Sequence, residues 1–175
     1  MWDVNAAATM PALASASPSF ASVAEAELDA VHAYLLFLTG DRAVAEDLAG
    51  ETFEKALRTW RRFDPRRGTA RAWLCAIARN SALDHFRSEQ RRRRREEHYA
   101  RDVSTVDDPA WGQGAAAVAL RKLPAADREV VALRIVLELD GPTTARLLGI
   151  TRTACSTRLS RALQRLEELM RDDDV

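Results

Sequence analysis

Residues 149–166 read GITRTACSTRLSRALQRL, a stretch with Arg152, Arg158, Arg161 and Arg165 and no acid. The chain as a whole balances 26 basic residues against 26 acidic ones, for a formal net charge of zero. Positive charge is therefore gathered rather than pervasive, and only local pattern bears on partners. Cys155, Leu159, Ala162, Leu166 and Leu169 recur at steps of three and four, the period of one helix face. Arg152, Thr153, Ser156, Thr157, Ser160 and Arg161 fall outside that seam. Just upstream, Asp140 can cap a short helix with Pro142 in its first turn, Gly149 supplies a tight turn, and Thr151 caps the long helix. This succession is a helix-turn-helix signature. Small hydroxyl side chains let a helix approach a major groove closely, while arginine bonds guanine edges or phosphates. A helix whose arginine side is merely solvated has the same charge pattern, but not the same cap, turn and seam in order.

Around this stretch the chain reads as helical throughout. Leu28, Val31, Leu35 and Leu38 recur at helical intervals after a Ser22–Glu25 capping box and stop at Gly40. Asp41 can cap a second helix with Ala45, Leu48, Thr52, Phe53, Ala56, Leu57 and Trp60 inward, while Asp47, Glu51 and Glu54 share another side. FDPRRGT, residues 63–69, is a loop, and Thr69 opens a helix with Trp73, Leu74, Ile77 and Ser81 inward. Residues 87–114, RSEQRRRRREEHYARDVSTVDDPAWGQG, have the composition of a linker. Beyond them come four more helical pieces. The β-branched run VVALRIVLEL, residues 130–139, is expected to be helix because of its length and neighbours. No βαβ alternation or fixed-period repeat appears, so the expected fold is all-α: two small helical domains, a three- or four-helix bundle and a helix-turn-helix unit, on a flexible linker. The boundaries expected are a disordered segment 1–21, a first domain 22–95, a linker 96–114 and a second domain 115–171.

Other classes of function find little support. With 175 residues, 47% apolar and 6% aromatic, the chain holds one ordinary core or two small ones. Cys75 and Cys155 are isolated in sequence, as are His32, His85 and His98, so neither a disulfide scaffold nor a metal site is expected. No Ser or Cys nucleophile with a base and no phosphate-cradling glycine loop is present, so neither an enzyme nor a cofactor is expected. Residues 1–20 fit neither a signal peptide nor a membrane span, which makes the cytoplasm the expected location, without membrane insertion.

The first half carries a resemblance that narrows the reading. GD..AEDL..ETF, RFDP, RAWL..IARN and LDHFR, between residues 40 and 87, resemble region 2 of extracytoplasmic-function (ECF) sigma factors of the sigma-70 family. ALRKLPAADREVVALRI and LLGITRTACSTRLSRAL, residues 119–135 and 147–163, are similar to their region 4. The resemblance implies an alternative sigma factor that binds core bacterial RNA polymerase and directs it to promoter DNA, with no bond-breaking chemistry of its own. It implies that Asp47, Glu51 and Glu54 dock on clamp helices of the largest polymerase subunit, a face that charge alone would leave as solvated surface. It implies minus-10 contacts from Arg71, Arg79, Asn80 and Arg87 beside the loop Phe63–Thr69, and minus-35 contacts from Arg152, Thr153, Ser156, Thr157, Arg158, Ser160 and Arg161. Trp73 is read as core, Asp84 as an acid that orients an arginine, and Arg91–Arg95 as the extended or frayed start of the linker. Thr143, Thr144 and Ala145 depart from the family's common E-E-I-A, and Ser156 from its common basic residue, so the family's promoter sequence does not carry over. An anti-sigma partner is a further expectation, since both domains expose faces that need covering. A free-standing helix-turn-helix regulator is the alternative; it accounts for residues 140–165 and leaves the first half idle.

Overall fold

The computed structural model describes residues 19–96 and 115–172. Among the described residues every regular element is helical. The expectations for residues 1–18 and 97–114 lie outside them.

Helix α1, Phe20–Thr39, begins at Ser19, whose hydroxyl accepts the Ser22 N–H at 3.2 Å. The cap thus sits three residues before the expected Ser22, and Phe20 and Ala21 belong to the helix. Ser22 Oγ instead donates to the Ser19 carbonyl at 3.0 Å, so the one hydroxyl pair satisfies two polar groups of the first turn. Gly40 ends the helix as expected, at φ 69°, a conformation that glycine adopts without strain. Asp41 caps α2, Arg42–Thr59, by accepting the Val44 N–H at 3.0 Å. A 3-10 turn, Trp60–Arg62, leads into the loop and then α3, Ala70–Glu96, whose first turn is capped by Thr69.

These three helices share one core: Val31, Tyr34 and Leu35 from α1, Ala45 and Ala56 from α2, Leu74, Cys75 and Ala78 from α3. Alanines at the α2 and α3 contacts let the helices approach closely. Larger rings fill one end, where Trp60 stacks on Phe63 at 4.9 Å and meets Trp73 edge-on at 5.8 Å. Trp73 and Phe53 are half-buried against this core, consistent with an inward role. Leu57, expected inward, is 58% exposed. It lies beside the buried stripe of Leu48, Ala49, Thr52 and Ala56, and Ala56 takes the buried place. The Arg91–Arg95 run is also not extended: it stays helical to Glu96. Exposure keeps its like charges in water, and Arg92 pairs with Glu89 at 2.8 Å.

The second unit comprises α4, Ala115–Lys122; α5, Ala125–Val131; a wider π turn, Ala132–Val136; α6, Gly141–Leu148; and α7, Arg152–Asp172. Asp140 caps α6 through the Thr143 N–H at 2.6 Å, Gly149 turns at φ 67°, and Thr151 caps α7. Leu123, Val130, Val131, Ala145, Cys155 and Ala162 form its core, with Leu159, Leu166 and Leu169 packed beside them. The two units are not separate bodies. Leu133, Leu137 and Leu139 leave the second unit's core and join that of the first, and the π turn lies against α1.

Three substitutions test this packing. Leu74→Ala, at a fully buried site, is expected to lower unfolding free energy by about 3 kcal/mol, whereas Leu57→Ala changes it by less than about 0.5 kcal/mol. Thr144 is fully buried and its hydroxyl finds no partner among the described residues. Thr144→Val is therefore expected to raise stability by about 1 kcal/mol in urea denaturation.

Candidate nucleic-acid interface

The α7 seam fixes which way its polar residues face. With Cys155 and Ala162 buried, Arg152, Thr153, Ser156, Thr157, Ser160 and Arg161 are all exposed, and Arg158 is half-buried at their edge. Thr153, Thr157, Arg158 and Arg161 line an open groove along the helix that continues to Arg165. Its one acid, Asp127 of α5, is occupied: Arg165 donates to it at 2.6 Å. A neighbouring groove brings Arg152 together with Thr143 and Arg146 of α6. Arg146 and Arg165 thus belong to the same basic surface; the sequence reading counted Arg165 in the acid-free stretch without making it a contact residue, and it did not single out Arg146. Arg146 sits in the short helix of the turn motif, and that position was the available signal. Asp140 lies at the rim; N–H donation by Thr143 holds its carboxyl below the usual carboxylate range, so it remains a charged cap at the N-terminus of α6.

The four residues expected on the other DNA face divide into two pairs. Asn80 and Arg87 on α3 are exposed, and Arg87 donates to Asp84 at 3.1 Å, the orienting role expected of that acid. Arg71 and Arg79 are instead engaged at the contact between the units. Arg71 donates to Glu27 at 2.6 Å and to the Leu137 carbonyl at 3.4 Å. Arg79 donates through Nε to Glu129 Oε1 at 2.8 Å and through a terminal nitrogen to Oε2 at 3.5 Å. Tyr34, wholly buried, donates its hydroxyl to the same Glu129 oxygen at 3.0 Å. Burial, and then the charge of Glu129, push the Tyr34 phenol well above its ordinary value, so it stays a neutral donor. The loop Phe63–Thr69 forms one side of a cavity of about 350 Å³ with Trp73, and Arg146 and Leu147 of α6 form the other.

On α2 the acids Asp47, Glu51 and Glu54 are exposed. Glu51 pairs with Lys55 and Glu54 with Arg58 one turn on. Asp47 makes no ion pair among the described residues, and exposed Leu57 lies on the same helix near this stripe. Such exposed pairs contribute little and are readily exchanged for a partner's charges. No group of three or more His, Cys, Asp or Glu comes together among the described residues. Cys75 is buried and its thiol is pushed up to about 12 by that burial, which leaves it unreactive. Among the same residues no helix is long and apolar enough to cross a membrane.

Two family models match the chain: Sigma-70 region 2 over residues 23–92 and Sigma-70, region 4 over residues 114–166. The ECF RNA polymerase sigma factor BldN of Streptomyces coelicolor is 32% identical over 169 residues, 93% of this chain, which spans 64% of that relative's length. The ECF RNA polymerase sigma factor SigC of Mycobacterium tuberculosis is 31% identical over 140 residues, 77% of this chain and 75% of the relative. Among solved structures, the sigma factor RpoE of Bartonella quintana, in complex with the anti-sigma factor NepR, matches with a TM-score of 0.74 and 25% identity, over 87% of this chain and 96% of that one. The helix-turn-helix with its acid-free arginine face and the acidic stripe of α2 fall within these two matches, so the chain belongs to the extracytoplasmic-function sigma factors of the sigma-70 family, alternative sigma factors that direct transcription initiation.

Proposed function

We propose that this chain docks on core RNA polymerase through Asp47, Glu51 and Glu54 of α2, on clamp helices of the largest subunit, and reads promoter DNA with two further surfaces. Arg152, Thr153, Ser156, Thr157, Arg158, Ser160 and Arg161 of α7 contact the minus-35 element, with Arg146 and Arg165 extending the same charge to flanking phosphates. Arg71, Arg79, Asn80 and Arg87 of α3, with the Phe63–Thr69 loop, contact the minus-10 element. Asn80 offers both a donor and an acceptor to a base edge, and the Phe63–Trp73 cavity offers an aromatic wall to an unstacked base. The observation that carries this reading is the separation of charge on a neutral chain: exposed acids on α2, and on α7 an exposed polar face whose groove contains no unpaired acid.

The working units are two domains close to residues 22–95 and 115–171, with 96–114 as their linker. The chain acts as a subunit, not as an enzyme with its own substrate, and works in the cytoplasm beside polymerase and chromosome. It is held by an anti-sigma partner when idle. The likeness to a sigma factor solved with an anti-sigma factor supports that partner, because it extends over 87% of the chain and so takes in both units.

Native-gel binding to core polymerase tests the docking face. Wild type is expected to shift with core, and the double variant Asp47→Arg/Glu51→Arg to lose at least about tenfold in affinity through like-charge contact and lost pairing. A wild-type chain that ignores core yet shifts duplex DNA in a salt-sensitive way is instead the free-standing regulator. With core present, Arg161→Ala is expected to weaken promoter binding and to flatten its salt dependence by about one counterion if the side chain meets a phosphate.

A further inference from the structure

We propose that the last turns of α3 form a duplex-binding arm, in which Arg91, Arg94 and Arg95 hold phosphates of the spacer duplex immediately upstream of the minus-10 element. The proposal rests on the sigma-factor reading and deepens it, giving a ligand to the charged run that this reading left unassigned.

The register of α3 places the run. Trp73, Asn80, Arg87 and Arg94 are spaced seven residues apart, just under two turns, so they follow one line along the helix. Arg91 joins that line one turn after Arg87, and Arg95 follows Arg91 by another turn. The line runs opposite Leu74, Cys75, Ala78 and Ala82, all buried in the first unit's core. It starts at the Phe63–Trp73 cavity, passes the exposed amide of Asn80 and ends in exposed arginines. The surface proposed to read the minus-10 element therefore continues directly into the basic run.

Charge at the far end of this line is uncompensated. Asp84, the acid beside Asn80, accepts from Arg87 at 3.1 Å. Glu89 pairs with Arg92 on another side of the helix. Arg91 and Arg94 make no ion pair among the described residues, and Arg95 donates to the Arg91 carbonyl at 3.3 Å. Like charges one turn apart weaken a helix, yet α3 carries these arginines in helical register to Glu96. Such a line complements a phosphate backbone, because each phosphate neutralised releases counterions and the contact requires no base sequence.

Length and chain order identify which backbone. From Asn80 to Arg94 the helix rises about 21 Å, the length of about six base pairs at 3.4 Å each. With Asn80 at a minus-10 base edge, the arginines fall over phosphates roughly three to seven base pairs away. In the chain they lie between the face proposed for the minus-10 element and the α7 face proposed for the minus-35 element, which puts the arm on the upstream side, over the spacer. An acidic protein or an RNA would satisfy the charge, but DNA already held at Asn80 is the polyanion that lies along the line.

The test uses the full chain bound to core polymerase, with fork DNA cut from a promoter whose transcription depends on the chain. One fork carries about ten base pairs of duplex upstream of the minus-10 element and the other carries none; neither contains the minus-35 element. Wild type is expected to bind the long fork with the steeper salt dependence, by about 0.9 in the logarithmic slope for each phosphate held. Arg91→Gln with Arg94→Gln is expected to lower the long-fork slope by about 2 and its affinity at least about tenfold at about 0.1 M salt, with the short fork bound as by wild type. Lysine at both positions should restore the slope, since a phosphate also accepts a point charge. Arg93→Gln, on the groove that also holds Asp41 and His85, should alter neither fork. Unchanged helicity by circular dichroism separates lost contacts from a melted arm. Equal wild-type slopes on the two forks overturn the arm. A double variant that weakens the short fork or core binding also overturns it, and assigns the run to single strands or to polymerase. Native-gel core binding and chain-dependent starts are scored separately: a chain that passes both but shows equal slopes loses the arm and keeps the sigma reading, whereas a chain that never binds core loses both.

Discussion

The arrangement depends on one local irregularity, the π turn at Ala132–Val136. There Leu137 N–H donates to the Ala132 carbonyl at 3.0 Å, five residues back, instead of four. The widened turn puts Leu133 and Leu137 inward while Ile135 is left 53% exposed. Glu138 then takes φ 54°, unusual for a side chain of its size, and Leu139 N–H returns to the Leu133 carbonyl at 3.0 Å. Arg134 secures the corner by donating to the Leu139 carbonyl. A regular helix through this segment would aim these leucines differently. The helix-turn-helix begins immediately afterwards at Asp140, so the same corner also sets where α6 and α7 stand relative to α1 and α3.

Charge is distributed to match that geometry. Acids of α2 face solvent and pair only with neighbours one turn away, leaving them open to exchange. The arginines lining the α7 groove share it with one acid, Asp127, which Arg165 occupies. Away from these surfaces the opposite holds: Glu27 within the first unit and Glu129 at the contact between the units are shielded, and each meets an arginine at a full-strength hydrogen-bond distance. Surface charges are thus available to partners, while Glu129 is committed to the contact between the units and Glu27 to bracing Arg71, which bonds the Leu137 carbonyl across it.

How much of this could be read from sequence depended on the range of the interaction involved. Gly40, Asp41, Asp140, Gly149 and Thr151 act within three or four residues of themselves, and they cap and stop the helices where their chemistry indicates. The α7 seam likewise follows from a period. Ser22 was misplaced because Ser19 has the same chemistry one turn earlier, and the helix takes the first competent cap. Leu57 follows the apolar spacing of α2 from Phe53 but lies beside the buried stripe of Leu48, Ala49, Thr52 and Ala56, so periodicity alone put it inside. Arg91–Arg95 looked too repulsive to stay helical, yet α3 carries them to Glu96, with Glu89 beside them. The Glu129 contacts with Tyr34 and Arg79 span 95 and 50 residues, and no local pattern announces them. Of the residues assigned to DNA, those on α7 were legible because a single helix displays them. The engagement of Arg71 and Arg79 is a property of the fold as a whole.

The most direct measurement of the central claim is run-off transcription with core polymerase and the purified chain on fragments of the host chromosome. The account requires discrete, chain-dependent start sites that core alone does not produce. The same transcripts with and without the chain, under conditions where the chain is folded and core is active, would contradict it.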